Sequence, residues 1–280
     1  MKLGVITDCF KKSHFEGIKM AADLGLDGVQ IYATTGEFSP ATLTAEQKAE
    51  YKNLLKEKGL VVSALCGDMG GHGFEIAQDN AERIEKTKAI IDLAEEFGAR
   101  VITTHIGVIP ADKTNPKYAV MLNALTECGL YAKEKGITLA IETGPEKATT
   151  LLQFVQDTKG GVGVNLDPAN FVMVTEQDPV EAVYLLKDYI VHTHLKDGKM
   201  LKKTDPQIIY DFFADGGIEA LNVADFFLET PVGEGNVDFP AYIKALKEIG
   251  YDGFLTIERE TGADPSADIQ KALDYIKTVL

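Results

Sequence analysis

The chain has 280 residues, with 28 Lys and Arg against 43 Asp and Glu, and therefore a formal net charge of −15 at pH 7. An acidic chain of this kind repels phosphate backbones and anionic lipid surfaces, so neither nucleic acid nor a membrane is an expected partner. Its 45% apolar and 25% charged residues are ordinary for a globular protein, and no stretch approaches the roughly 18 apolar residues of a membrane helix.

Short runs rich in Val and Ile alternate with amphipathic helical patterns along the whole chain, which is typical of a parallel sheet built from βα units. The predicted strands are Lys2–Thr7, Gly28–Ala33, Leu60–Cys66, Val101–Gly107, Thr138–Thr143, Val162–Asp167, Ile190–Lys196 and Phe254–Glu260. The predicted helices are Phe15–Leu24, Ala45–Lys58, Asn80–Phe97, Lys117–Lys135, Lys147–Thr158, Pro179–Lys187, Phe239–Ile249 and Ser266–Leu280. Eight such units in about 250 residues have the size of a (β/α)₈ barrel. We therefore predict an α/β fold with one TIM-barrel domain over residues 1–280.

A doubly wound sheet is the competing fold, but no GxGxxG follows the first predicted strand and no change of composition marks a second domain. One connection is unusually long. About forty residues, from Asp197 to Asn236, follow the seventh strand, far more than a normal βα loop. We predict that this extended loop is an insertion over the C-terminal mouth of the barrel.

The three cysteines, Cys9, Cys66 and Cys128, are odd in number and widely spaced. This pattern offers neither a disulfide framework nor a CxxC zinc site. The N-terminal segment meets Asp8 before a signal-peptide apolar run can build. We therefore expect a cytoplasmic protein whose mature chain begins at Met1.

Polar side chains share one face of each of the last four predicted strands. These faces carry Ala140 and Glu142 in the fifth strand, Gly163, Asn165 and Asp167 in the sixth, Ile190, His192, His194 and Lys196 in the seventh, and Thr256, Glu258 and Glu260 in the eighth. Because side chains alternate along a barrel strand, we predict that this face lines the interior. The groups near the strand ends then converge at the C-terminal mouth.

Three carboxylates and an imidazole gathered in one place are costly unless a cation compensates them. Glu142, Asp167, His194 and Glu258 therefore predict a divalent metal site. A set dominated by oxygen with one nitrogen suits Mn²⁺, Mg²⁺ or Co²⁺ better than a metal that prefers thiolates. Any single acid of the set could instead pair with Lys196 or Arg259, but the four strands together favour the metal.

Four motifs carry a family resemblance that covers essentially the whole chain: "IETG", "NLDPAN", "HTHLKD" and "GEGNVDFPAYIKALKEIGYDGFLTIERE". The chain resembles the xylose isomerase-like barrels of the sugar phosphate isomerase/epimerase superfamily, and is similar to the ketose 3-epimerases. The resemblance implies one divalent metal ion, with Mn²⁺ first and Co²⁺, Mg²⁺ or Zn²⁺ as alternatives. It also implies that Glu142, Asp167, His194 and Glu258 are its ligands, and that Glu142 and Glu258 are the acid/base pair.

The chemistry is consistent with this resemblance. A metal chelated by a carbonyl and its neighbouring hydroxyl stabilises the enediolate formed when the adjacent carbon loses a proton. Glu142 and Glu258 come from strands three apart on the ring, so they could act on opposite faces of a ketose or keto-sugar. Return of the proton to the same carbon is epimerisation, and return to its neighbour is aldose-ketose isomerisation. Elimination, as in a keto-sugar dehydratase or lyase, stays open as an alternative.

The chain departs from the ketose 3-epimerase pattern at two positions, where Asn170 replaces a His and Met200 an Arg. These changes leave the substrate open. An abasic-site endonuclease of similar fold is disfavoured by Asn170, by the missing Asp-x-His after "HLKD" and by the charge. A non-enzymatic barrel is disfavoured by the intact set of four ligands.

Four further residues are predicted to bind substrate, namely His105, Asn170, Lys196 and Glu260. His192 is expected to be a core imidazole one layer below His194. His72 lies in the Gly-rich segment "GDMGGHGFE", which fits a mobile lid or an ordinary solvated loop. The expected partner is a small-molecule sugar or sugar derivative, and homo-oligomerisation stays open.

Overall fold

Eight parallel strands close into a barrel, which confirms the predicted (β/α)₈ fold. The computed structural model describes residues 1–218 and 221–280. Its strands are β1 (Lys2–Ile6), β2 (Gly28–Tyr32), β3 (Val61–Cys66), β4 (Val101–Thr104), β5 (Thr138–Glu142), β6 (Val162–Leu166), β7 (Ile190–Leu195), β8 (Asp197–Met200), β9 (Phe227–Thr230) and β10 (Phe254–Ile257). The ring runs β1, β10, β7, β6, β5, β4, β3, β2, and β8 pairs with β9 in a separate hairpin. Strands β3 and β7 therefore lie opposite each other across the barrel.

The helices cover the outside of the ring or lie in its loops. They are α1 (His14–Asp23), α2 (Ala45–Lys58), α3 (Asn80–Phe97), α4 (Pro116–Glu134), α5 (Ala148–Asp157), α6 (Pro168–Asn170), α7 (Pro179–Leu186), α8 (Pro206–Ala214), α9 (Phe239–Glu248) and α10 (Pro265–Val279). Helix α2 is an example of how these helices begin and end. Thr44 and Gln47 form a capping box at its N-terminus, and Gly59 ends it with a φ of 70°. Within the described ranges, no helix combines the length and the apolar character needed to cross a membrane.

The apolar core lies between the strands and the helices, with a small layer inside the barrel. Ala64, Val101 and Ala140 form that inner layer together with Val191. Ile190, predicted to face the interior, belongs instead to the outer core. The reason is a register shift, since Val164 pairs with Ile190 while Asn165 pairs with His192, so β7 carries an extra residue at this point. Above this bulge the predicted alternation is restored.

Most strands end one residue earlier than predicted, and two end three residues earlier. Strand β4 ends at Thr104 rather than Gly107, because Gly107 takes a φ of 102° where the loop after β3 packs against it; a Cβ there would lie 2.6 Å from Glu75 Cγ. Strand β10 ends at Ile257 rather than Glu260. The backbone N–H of Glu260 donates to Glu229 Oε1 at 3.0 Å instead of continuing the sheet.

The long segment after β7 is present as predicted, but it is not simply a loop. It contains the β8–β9 hairpin and helix α8. Asp197 anchors its base by accepting backbone N–H groups from Gly198, Gly233, Gly235 and Val237. Arg259 Nη1 also donates to Glu229 Oε1 at 2.7 Å, which ties β9 to the segment after β10. The base of the insertion is therefore fixed to the barrel through buried polar contacts.

Candidate active site

The four predicted metal ligands meet at the C-terminal mouth of the barrel. Glu142, Asp167, His194 and Glu258 are all buried, and one ligand atom from each lies within 4.8 Å of the others. They lie in or directly after four consecutive strands of the ring, β5, β6, β7 and β10. His194 Nδ1 lies at the centre, 2.8 Å from Glu258 Oε2, 3.4 Å from Glu142 Oε1 and 3.8 Å from Asp167 Oδ2.

The donor atoms of this cluster are left unsatisfied by the protein. Asp167 Oδ2, His194 Nδ1 and Glu258 Oε2 are buried and make no hydrogen bond with any residue that the structure describes. Buried polar atoms normally have a partner, because an unpaired one loses its hydration without compensation. Three such atoms pointing at one place are explained by a cation that would bind all of them. The residues present therefore fit a divalent metal ion.

His194 is oriented by the residues beneath it. Its Nε2 lies 3.2 Å from Gln30 Oε1, a carboxamide oxygen that only accepts hydrogen bonds. Asn165 Nδ2 also lies 3.2 Å from this nitrogen, so Gln30 and Asn165 together hold the Nε2 side of the ring while Nδ1 faces the carboxylates. A ligand imidazole held through its other nitrogen in this way is the usual arrangement at protein metal sites.

The charges of the cluster are mutually dependent. Burial disfavours a charged imidazole at His194, but Glu258 and Glu142 outweigh it and raise the pKa of His194 well above its ordinary value. Burial likewise disfavours ionised Glu142, but His194 and His105 hold the pKa of Glu142 well below its usual range. The carboxylates thus draw positive charge to this point, and either a proton on His194 or a divalent cation supplies it.

The second imidazole of β7 lies one layer deeper, as predicted. His192 Nε2 is 3.0 Å from Gln30 Oε1 and 2.9 Å from Thr256 Oγ1. Burial and the neighbouring His194 lower the pKa of His192 to about 3, so this ring is neutral. His192 is therefore a hydrogen-bonded core residue and does not belong to the cluster.

Lys196 and Glu260 lie beside Glu258 at the mouth. Lys196 Nζ is 2.5 Å from Glu260 Oε2 and 3.5 Å from Glu258 Oε1. Burial disfavours the charged amine, but Glu258 and Glu260 outweigh it and raise the pKa of Lys196. Glu260 is 54% exposed, so this part of the mouth is open to solvent.

The remaining two predicted substrate-binding residues lie on the Glu142 side of the cluster. His105 Nε2 is 3.7 Å from Glu142 Oε1, and the ring is 34% exposed. Asn170 Nδ2 donates to the backbone oxygen of Thr143 at 2.8 Å. This contact joins the segment after β6 to the end of β5. Asn170 therefore supports the segments that carry Asp167 and Glu142.

Three residues of the mouth were missed by the sequence analysis. Gln30 joins both imidazoles of β7, Tyr32 lies near Cys66 and the carboxylates, and Glu146 is buried with Oε2 unpaired among the described residues. Burial raises the pKa of Glu146 to about 7. Gln30 carried a usable signal, since it is a lone amide between Val29 and Ile31 in a strand.

A cavity of about 320 Å³ adjoins the cluster on the Glu258 side. It is lined by Ile6, Asp8, Cys9, Lys11, Tyr32, Glu258 and Glu260. A larger cavity of about 570 Å³ lies between the segment after β6 and the insertion, and its lining includes none of the four cluster residues. The smaller cavity is therefore the one placed to hold a ligand beside the cluster.

A (β/α)₈ barrel whose last four strands bring one imidazole and three carboxylates together at the mouth defines a class of candidate divalent-metal barrels. The chain belongs to the xylose isomerase-like TIM barrel family, whose profile it matches over residues 18–279. This confirms the resemblance inferred from the motifs.

Individual relatives are more distant. The chain is 26% identical over 277 residues to L-ribulose-5-phosphate 3-epimerase UlaE of Escherichia coli, with 94% of this chain and 88% of the relative covered. A crystal structure of a xylose isomerase domain protein from Planctomyces limnophilus is 27% identical, with a TM-score of 0.80 over 99% of this chain and 96% of that chain. The structure of the probable 3-DHS dehydratase AsbF from Bacillus anthracis is 19% identical, with a TM-score of 0.77 over 99% of both chains, and shows the shared fold.

Proposed function

We propose that the protein is a divalent-metal-dependent sugar epimerase that acts on the carbon next to the carbonyl of a ketose or keto-sugar. The observation that carries the proposal is the buried cluster of four donors, three of which have an unpaired atom directed at one point. The name of the 26% identical relative, a sugar phosphate 3-epimerase, supports the same reaction class.

Glu142, Asp167, His194 and Glu258 would hold the cofactor, and the oxygen-dominated set favours Mn²⁺. When bound, the ion supplies positive charge that stabilises the negative oxygen developing at the substrate carbonyl. Asp167 is suited to a purely structural part in this, because its Oδ1 accepts the backbone N–H of Ala169 at 2.7 Å while Oδ2 is left for the cofactor.

Glu142 and Glu258 are proposed to move the proton. They lie at the ends of β5 and β10, with β6 and β7 between them on the ring, so they flank the space above His194. One carboxylate takes the proton from one face of the carbon, and the other returns a proton to the opposite face. Lys196 Nζ lies 3.5 Å from Glu258 Oε1 and places a positively charged group beside that glutamate.

Substrate binding is assigned to the residues around the cluster. Lys196, Glu260 and His105 offer charged or titratable groups at the mouth, and the 320 Å³ cavity provides space beside Glu258. Asn170 acts indirectly, because its side chain donates a hydrogen bond to the backbone oxygen of Thr143 and so positions the segment after β5. The expected substrate is a small sugar or sugar derivative, and the charge of −15 opposes a nucleic acid substrate.

The test measures metal content and hydrogen exchange at carbon in one preparation. We expect elemental analysis to give one divalent ion per chain. We expect ¹H NMR in D₂O to show loss of a single carbon-bound proton next to the carbonyl from at least one sugar in a panel of ketoses and ketose phosphates. Glu142→Gln and Glu258→Gln should each lower this exchange by roughly 10²- to 10⁴-fold.

Glu134→Gln is the matched control, because Glu134 is an exposed carboxylate at the end of α4. It should leave exchange unchanged. Near-normal turnover in either site variant would contradict the two-base mechanism. Deuterium uptake followed by loss of water from the sugar would replace epimerisation with the dehydratase reaction. Three metal equivalents with nicking of abasic DNA would overturn the sugar assignment altogether.

A further inference from the structure

The insertion after β7 contacts a loop on the opposite side of the barrel mouth. Its helix α8 meets the Gly-rich loop that follows β3, and β3 lies opposite β7 in the ring. His72 Nε2 lies 2.9 Å from Asp215 Oδ1, and Tyr210 donates its hydroxyl to the backbone oxygen of Gly71 at 3.2 Å. The insertion therefore extends from the end of β7 to the loop after β3 on the opposite side of the mouth at which the cluster lies.

The two sides of this contact differ in how firmly they are held. The loop after β3 is fixed to the barrel: the backbone N–H of Phe74 donates to the Ile106 oxygen at 2.8 Å, and Arg83 Nη2 donates to the Gly70 oxygen at 3.0 Å. Helix α8 buries only Ile209, while Phe213 is 60% exposed and Ile208 is 41% exposed. Elements with so little buried apolar surface open at low cost.

The C-terminal end of α8 is followed by two glycines that form a flexible hinge. Gly216 and Gly217 follow the helix with φ values of 72° and 116°, and no atom of residues 1–218 or 221–280 lies where a Cβ on either would meet it. The base of the insertion is held separately by Asp197 and by the Glu229–Arg259 ion pair. The helix can therefore swing while the hairpin stays in place.

We propose that α8 is a lid over the candidate active site, and that the His72–Asp215 and Tyr210–Gly71 contacts form the latch that holds it closed. Tyr210 is half-buried in this contact, and burial, followed by the charges of Asp68, Glu75 and Glu146, raises the pKa of its hydroxyl. A closed lid excludes water from a reactive site and must open to admit or release a ligand.

The first experiment measures hydrogen–deuterium exchange of the α8 backbone amides in the full-length protein. We expect Asp215→Ala and Tyr210→Phe each to speed exchange across residues 206–214 by roughly tenfold, with exchange in the barrel strands unchanged. Glu234→Ala is the matched control, since Glu234 is an exposed acid of the insertion whose side chain makes no hydrogen bond within the described ranges. Unchanged α8 exchange in both latch variants would overturn the latch, whether or not the protein proves to be an epimerase.

The second experiment tests gating through the rate at which a chelator removes Mn²⁺. In a His72→Cys/Asp215→Cys variant, a short bis(methanethiosulfonate) linker, which forms a disulfide with each new thiol and releases methanesulfinate, should slow metal removal at least tenfold, and reduction of the two disulfides should restore the original rate. Asp215→Ala alone should speed removal. The native cysteines are all buried, so the linker is directed to the new pair. Equal removal rates in the linked and reduced forms would show that α8 does not gate the site.

Discussion

Two imidazoles on one strand lie in adjacent layers of the barrel interior and differ in their hydrogen bonding. His192 and His194 are each 1% exposed, and their rings meet edge to face at 5.9 Å. His192 is hydrogen bonded to Gln30 and Thr256, whereas Nδ1 of His194 faces three carboxylates and makes no hydrogen bond among the described residues. The two histidines are therefore equally buried, and only their hydrogen bonding differs. A stable core leaves few buried donors or acceptors without a partner, so the unpartnered atoms around His194 are what mark the candidate site.

The layers are also connected. Gln30 Oε1 lies within 3.2 Å of Nε2 of His194 and within 3.0 Å of Nε2 of His192, and Gln30 Nε2 donates to Thr103 Oγ1 at 3.1 Å. The lower layer therefore helps to hold the orientation of His194, together with Asn165. Five substitutions test how far the two layers are separate.

The largest effect is expected for the upper layer. His194→Ala and Asp167→Asn should each weaken metal binding by more than about 100-fold, because even residues that only support a ligand contribute 10- to 100-fold. The fold should survive, since these atoms contribute no apolar packing. Metal titration and circular dichroism check both points. Full metal occupancy in both variants would contradict the ligand assignment.

His192→Ala should have the reverse outcome. Loss of a buried ring and of its hydrogen bonds should lower the free energy of unfolding by about 2 to 4 kcal/mol, with metal still bound. Urea denaturation with parallel metal analysis measures both quantities. Loss of metal with unchanged stability would mean that the assignments of His192 and His194 are exchanged.

Gln30→Met should affect both layers to a smaller extent. Removing the shared acceptor should weaken metal binding by roughly 10- to 100-fold, since the tautomer and orientation of His194 are no longer held. The unfolding free energy should fall by about 1 to 3 kcal/mol, because two buried ring nitrogens lose a partner. A change in stability without a change in metal affinity would show that the layers are independent.

The smallest effect is expected outside both layers, at the half-exposed His105. His105→Gln should leave metal affinity within about threefold of the native value, and should lower kcat/KM by roughly threefold to tenfold through loss of one substrate hydrogen bond. Steady-state kinetics on the sugar identified in the exchange experiment provides the measurement. A loss of metal as large as that of His194→Ala would place His105 among the ligands.

Much of the site was accessible from local patterns alone. Glu142, Asp167, His194 and Glu258 each stand at the end of a predicted strand with the parity of the barrel interior, and the structure brings them together. The reasoning succeeds because parallel barrel strands all present their C-terminal ends at one face. It fails at Ile190, where the bulge in β7 adds a residue and reverses the parity below His192. A bulge depends on the neighbouring strand, which a single strand's sequence does not contain.

The sequence by itself determined the barrel, its eight βα units, the long insertion after the seventh strand and the four residues of the cluster, because each follows from periodicity and spacing within a short segment. Only the tertiary structure decided that the rings of His192 and His194 share one partner, since that partner, Gln30, lies on β2. It also decided where α8 binds. The contacts from His72 to Asp215 and from Tyr210 to Gly71 join segments well over a hundred positions apart, and only closure of the barrel places β3 opposite β7.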